Sequence, residues 1–241
     1  MKIGNSNKKA ATTPYVDKSK NVINGDSKFA IVEGYKIART NLVFSLAASE
    51  SKIVVVTSWS KGEGKSTATA NLAISFSKMG KKVLLIDCDL RRPNLHNLLR
   101  LQNNAGLSEV LGKIKTYNDV VNRDVLPCMD VLTAGSIPPN PSELLASAQF
   151  ENLMRDVESK YEYVIIDTPP IGIVTDSLIL KDYISGYVVV VREKVTTHGD
   201  IEKTIQNINL ADSKILGFLK VGCTLTEKKY AKGKYGYYKY Y

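Results

Sequence analysis

Three cysteines, one tryptophan and two histidines are few for 241 residues, and each scarcity excludes something. Cys88, Cys128 and Cys223 are odd in number and far apart. Neither a disulfide framework nor a four-thiolate zinc site fits them, and a reducing compartment is expected. His96 and His198 stand isolated, so neither is a catalytic candidate. No run approaches the ~18–20 consecutive apolar residues of a membrane span; the longest, at 53–56 and 187–191, are strand-sized. Lysines occur in the first ten residues but no apolar segment follows them. No ordinary secretory signal is therefore expected, and the protein should stay in the cytosol unless something else holds it at a membrane.

What is present suits a globular protein of one large domain or two small ones, with 44% hydrophobic and 24% charged residues. The net charge of +9 is concentrated at the ends. Residues 1–32 hold six Lys against two acids, and residues 226–241 hold five Lys against one. The stretch between is almost neutral, which argues against a basic face on a folded DNA-binding module; no nucleic-acid partner is expected.

Residues 1–26 are polar and aperiodic and read as a flexible basic arm, 27–225 as the folded domain, and 226–241 as a flexible tail. Residues 27–48 form an imperfect helical pattern. After them, short runs rich in β-branched residues at 53–57, 83–87, 129–133, 163–167, 186–192 and 215–221 alternate with helical stretches at 65–79, 107–111, 142–159, 176–183 and 198–209. Near-continuous apolar strands separated by helices predict an α/β fold, a doubly wound and mostly parallel sheet with helices on both faces. Ligands in such folds bind beyond the carboxyl ends of the strands.

The first run leads into Ser58-Trp59-Ser60-Lys61-Gly62-Glu63-Gly64-Lys65-Ser66-Thr67. Here glycines let backbone N–H groups approach a phosphate, Lys65 supplies a point charge and Ser66 can ligate Mg²⁺. The loop, Gly62 to Thr67, is a triphosphate cradle with P-loop spacing, except that Trp59 replaces the first glycine. Two other runs end in acids, at Asp87-Cys88-Asp89 and at Asp167. Strand-end aspartates beside a P-loop can hold Mg²⁺ or orient an attacking group. Asp87 and Asp89, two apart on extended backbone, are expected to point to the same side. Cys88 between them reads as a small strand residue.

These motifs, with Leu85-Ile86-Asp87-Cys88-Asp89-Leu90-Arg91-Arg92-Pro93 and Tyr163-Val164-Ile165-Ile166-Asp167-Thr168-Pro169-Pro170, resemble Walker A, A′ and B of the bacterial protein-tyrosine kinases (BY-kinases). That family consists of P-loop proteins akin to the MinD and ParA ATPases. Those ATPases carry a signature lysine five residues before the P-loop lysine, where this sequence has Ser60; Lys61 stands where the kinases usually have proline. The resemblance implies ATP and Mg²⁺ as cofactors, with Ser66, Asp87, Asp89 and Asp167 around the metal.

The last twelve residues hold six of the thirteen tyrosines: Tyr230, Tyr235, Tyr237, Tyr238, Tyr240 and Tyr241. They resemble the tail cluster on which these kinases autophosphorylate. A phenol with pKa near 10 needs a carboxylate to take its proton; Asp87 or Asp89 is the candidate base, and Lys65 with Mg²⁺ should matter more because the transition state is loose. Glu33, Lys36 and Arg39 share a helix face and resemble the family's Glu-x-x-Arg-x-x-Arg oligomerisation motif, with Lys in the middle position. By resemblance, subunits form a ring, each tail entering a neighbour's site. The resemblance further implies a membrane adaptor that activates such a kinase in trans, and other proteins, sugar-nucleotide enzymes among them, as substrates in capsule or exopolysaccharide production. The alternatives are a MinD- or ParA-like ATPase switch on membrane or DNA, and a nucleotide-gated interaction module.

Overall fold

A computed structural model describes residues 18–223. The tail tyrosines at 230–241 therefore lie outside the described residues. The chain runs through α1 (Phe29–Ser45), β1 (Ile53–Ser58), α2 (Lys65–Ser77), β2 (Val83–Asp87), α3 (Leu95–Leu99), α4 (Leu107–Leu111) and α5 (Tyr117–Val120). It continues through β3 (Asn122–Leu126), β4 (Met129–Leu132), α6 (Pro141–Leu145), α7 (Ala148–Lys160), β5 (Tyr163–Asp167), α8 (Asp176–Ile179), β6 (Gly186–Arg192), α9 (His198–Leu210) and β7 (Ile215–Val221).

The strands form one seven-stranded sheet in the order β3-β4-β2-β5-β1-β6-β7. Every pairing is parallel except the β3–β4 hairpin at one edge. Central strands β1, β2 and β5 are buried along their whole length. Alternate residues serve opposite layers: Ile53, Val55, Leu84 and Ile86 pack beneath α4 to α7, whereas Val54, Val56, Val83 and Leu85 pack against α1 to α3. Burial on both faces is why these runs are apolar without alternation. Parallel pairing of β1, β5 and β2 places the carboxyl ends of all three at one rim, where ligands bind in such sheets.

Two expectations need correction. The folded part begins before residue 27: Lys18–Asn21 forms a 3₁₀ turn and Ile23 is buried. Asn71 of α2 receives the Ile23 N–H at 2.8 Å and donates to the Asn21 carbonyl at 3.0 Å, so one amide side chain pairs this segment as a strand would. The helix expected over 142–159 is two, because Ser147 ends one and caps the next: its hydroxyl donates to Leu144 O at 2.6 Å and accepts the Phe150 N–H at 3.4 Å.

Candidate active site

A cleft of about 1320 Å³ opens at the carboxyl rim. The loop from β1 to α2 forms its floor. Gly62 and Gly64 adopt φ of 82° and 93°, left-handed values that glycine reaches without a Cβ penalty, and Gly64 caps α2. The N-terminus of this 13-residue helix thus opens into the cleft, with its unpaired N–H groups and dipole suited to phosphate. Trp59, in the first-glycine position, is locked by Gly172. A Cβ there would lie 2.5 Å from the indole and 2.6 Å from the Trp59 carbonyl oxygen.

Gly62, Gly64, Lys65, Ser66, Thr67 and Asp89 line the cleft, while Glu63, Asp87 and Asp167 lie behind its wall. Glu63 is buried; it accepts the Ser60 N–H at 2.8 Å and the Thr196 hydroxyl. Its carboxylate braces the loop against the segment after β6, so any contribution to phosphate binding comes from its main chain. Arg192, at the end of β6, donates to Gly62 O at 2.9 Å from the other side. Neither Thr196 nor Arg192 sits in a recognisable motif, and only the closing of the sheet brings them to the loop.

Lys65 Nζ meets Asp89 Oδ2 at 2.9 Å and lies 3.9 Å from Asp167 Oδ2. Burial alone would pull the ammonium down, but the nearby Asp167 and Asp89 carboxylates outweigh it and its pKa is raised. Asp87 is pushed up to about 8 by burial, then by Asp167, against the Leu95 N–H and Lys65. Burial likewise raises Asp167. Cys88 is wholly buried and held as a thiol by burial and the surrounding acids.

Both Walker A′ acids act electrostatically on Lys65, but Asp89 lines the cleft and Asp87 does not. β2 ends at Asp87, so strand alternation stops there. Asp87 accepts the N–H groups of Asp89 at 3.1 Å, Asn94 at 3.1 Å and Leu95 at 3.0 Å, and so pins the turn that leads into α3. Asp89 faces the cleft and Lys65.

Magnesium suits this donor set. Asp167 Oδ2 is buried without a hydrogen-bond partner, and three acids face one lysine. Among the described residues no three of His, Cys, Asp or Glu are gathered closely enough to enclose a metal by themselves. Mg²⁺ retains waters and takes phosphate oxygens as ligands beside one or two carboxylates.

Residues 51–218 match the AAA domain family. Tyrosine-protein kinase YwqD of Bacillus subtilis is 42% identical over 206 residues, covering 86% of this chain and 85% of that protein. The chain belongs to the bacterial tyrosine-protein kinases. It is of the capsule and exopolysaccharide type. Among solved structures, the chimerical protein CapA2B2 superposes on this kinase with a TM-score of 0.78 at 37% identity, covering 81% of this chain and 86% of that one. MinD of Pyrococcus horikoshii, complexed with Mg-ADP, has a TM-score of 0.59 at 25% identity, covering 69% and 68%. The doubly wound fold is thus that of MinD-like P-loop proteins, a fold that takes nucleotide with magnesium.

Glu33, Lys36 and Arg39, which resemble the family's oligomerisation motif, lie on α1, away from the cleft wall. Lys36 pairs with Glu33 at 2.7 Å, and Arg39 donates to Ser75 O of α2 at 2.7 Å. Within one subunit these charges already have partners. No helix among the described residues is long and apolar enough to cross a membrane.

Proposed function

We propose that this kinase transfers the γ-phosphoryl group of ATP to tyrosine hydroxyls, first those of its own tail at Tyr230, Tyr235, Tyr237, Tyr238, Tyr240 and Tyr241 in a neighbouring copy. The observation that carries the reading is the 2.9 Å contact of Lys65 with Asp89 at the cleft wall. It puts a phosphate-binding cation and a proton-accepting carboxylate side by side. The roughly 1320 Å³ cleft also exceeds the ~300–1,000 Å³ of an ordinary small-molecule pocket, leaving room for an acceptor segment beside the nucleotide.

In this reading Gly62, Gly64 and the α2 N-terminus hold phosphate oxygens through backbone N–H groups, with Glu63 and Thr67 as loop members and Lys65 as the point charge. Ser66, Asp89 and Asp167 would hold Mg²⁺, with Asp87 behind them. The bound metal neutralises charge on the phosphates. Asp89 orients the acceptor phenol and takes its proton at a carboxylate oxygen, since Asp87 is wholly buried and occupied by main-chain donors. The phosphorus–oxygen bond to the nucleotide breaks as that to the phenol forms, and the nucleoside diphosphate leaves with the electron pair.

The regulatory features rest on the resemblance: a ring held partly through Glu33, Lys36 and Arg39, a membrane adaptor that recruits the kinase to the inner face and activates it, and protein substrates such as sugar-nucleotide enzymes. Each tail phosphate adds about −1.5 to −2 charge. Four to six of them reverse the sign of the lysine-rich tail, expel it and open the ring.

The deciding experiment is incubation with Mg·ATP followed by tyrosine-phosphate mass spectrometry. Phosphate on the tail, absent in Lys65→Met, supports the kinase; phosphate release with no tyrosine modified supports a MinD-like ATPase switch instead. Light scattering tests the ring, and a fully phosphorylated sample that keeps the ring mass refutes expulsion.

A further inference from the structure

Arg91 leaves the Walker A′ turn and grips the far wall of the cleft. Its Nε donates to Asp176 Oδ2 at 2.7 Å and its Nη2 to Asp176 Oδ1 at 3.0 Å. Ser142 completes the node: its hydroxyl donates to Asp176 Oδ1 at 2.8 Å and receives Arg91 Nη2 at 2.9 Å. Three segments are joined there: the turn after β2, the start of α6 and the start of α8, which follows the Asp167-Thr168-Pro169-Pro170 motif. Asp176 is 1% exposed. A buried carboxylate without its cation is strongly disfavoured, and the flat guanidinium fork fixes direction as well as distance in a way that lysine cannot.

The turn held by this node is the one that carries Asp89. Asp89 Oδ1 accepts the Arg92 N–H at 3.0 Å, and the Asp89 carbonyl oxygen accepts the same N–H at 3.2 Å. Arg91 is therefore the middle of a closed turn, with one end tied to the acid that faces Lys65 and the centre bolted to α8. We propose that Arg91 is a positioning residue for phosphoryl transfer, fixing the Asp89–Arg92 turn through Asp176 and Ser142 and so setting the aim of the Asp89 carboxylate into the cleft. The inference rests on the role given to Asp89 above. Nucleotide affinity rests mainly on the P-loop, so misplacing Asp89 should change it less than the rate of transfer.

The test compares Arg91→Lys, Asp176→Asn and the double variant in the full chain, reading tail tyrosine phosphorylation, KM for ATP and thermal unfolding. Misplacement of a reacting group by about 1 Å costs up to roughly a hundredfold in rate. Each single variant should lose tenfold or more in kcat with a smaller change in KM for ATP, and the double variant should be no worse than the poorer single. Ser142→Ala, which removes one leg of the node, should give a smaller loss in the same parameter and serves if Asp176→Asn fails to fold. Unchanged kcat in Arg91→Lys overturns the inference. So does a raised KM for ATP in Arg91→Lys with Asp176→Asn and Ser142→Ala silent, since Arg91 would then touch substrate directly. If the unsubstituted chain modifies no tyrosine, it is the kinase reading that fails; ATP hydrolysis is then read in the same variants, and equal rates overturn the inference there too.

Discussion

Asp87 and Asp167 occupy matching register positions on the neighbouring parallel strands β2 and β5. Both carboxyls are fully buried, and Asp167 makes Asp87 harder to ionise. The arrangement places surplus negative charge directly beneath the phosphate loop. It costs the empty protein stability and gives a divalent cation something to neutralise.

The pH dependence follows. In the folded state Asp87 is raised from 3.8 to about 8, so folding is favoured while the group stays protonated and that advantage is lost as pH climbs toward 8. His96, lowered by burial, acts in the opposite sense below about pH 6.5, so the informative window is pH 7 to 8.5. There, in the absence of metal and nucleotide, unfolding free energy should fall with rising pH at up to about 1.4 kcal/mol per unit. Urea titrations across that window check it; a flat or rising profile contradicts the burial argument. Added Mg·ATP should flatten the fall.

Among the described residues Lys65 is the cation set among Asp87, Asp89 and Asp167, so its removal has two consequences. Lys65→Met should abolish tyrosine phosphorylation and, without nucleotide, lower stability, since breaking a buried pair costs about 3–5 kcal/mol. Asp89→Asn should leave the fold nearly intact and cut transfer by a factor of about 10²–10⁴, the range for a general base. Parallel thermal melts and phosphorylation assays on both variants separate the effects; a Lys65→Met protein that still modifies its tail refutes the cradle.

Gly172 is where the Walker B segment touches the phosphate loop. Gly172→Ala would drive a methyl group into the Trp59 ring and carbonyl, and the carbonyl cannot rotate away. Overpacking of this kind costs about 1–3 kcal/mol. Because Trp59 opens the loop, nucleotide binding should weaken along with stability, as titration with a fluorescent nucleotide would show. Unaltered affinity would mean that the loop tolerates the shift.

At the opposite end of the sheet Tyr161 donates to Asp130 Oδ2 at 2.5 Å and lies 2.7 Å from the Tyr117 hydroxyl. Tyr161→Phe strands both partners, each buried, at about 1–3 kcal/mol. Nucleotide affinity should not move. A change in affinity would reveal coupling across the sheet that the separation of the two ends does not suggest.

The central strands were legible in the sequence. Runs 83–87 and 163–167 have the bounds of β2 and β5, because a strand covered on both faces must be apolar at every position. The glycines and lysine of the phosphate loop were equally plain, since few residues can present backbone N–H groups to a phosphate. β3 was not. Its sequence Asn122-Arg123-Asp124-Val125-Leu126 is half exposed at an edge, where only pairing with β4 makes it a strand. Side-chain partnerships were also invisible: Glu63 finds Thr196 at a distance of 133 residues, Arg91 finds Asp176 at 85, and α1 keeps Arg39 on its own α2. Sequence alone determined where the glycine-lysine loop falls and which runs fill the core, because those follow from local backbone chemistry and apolarity. Tertiary structure alone decided which of two neighbouring acids lines the cleft and pairs with Lys65. β2 ends at Asp87, main-chain donors capture that carboxylate, and the turn beyond carries Asp89 into the cleft.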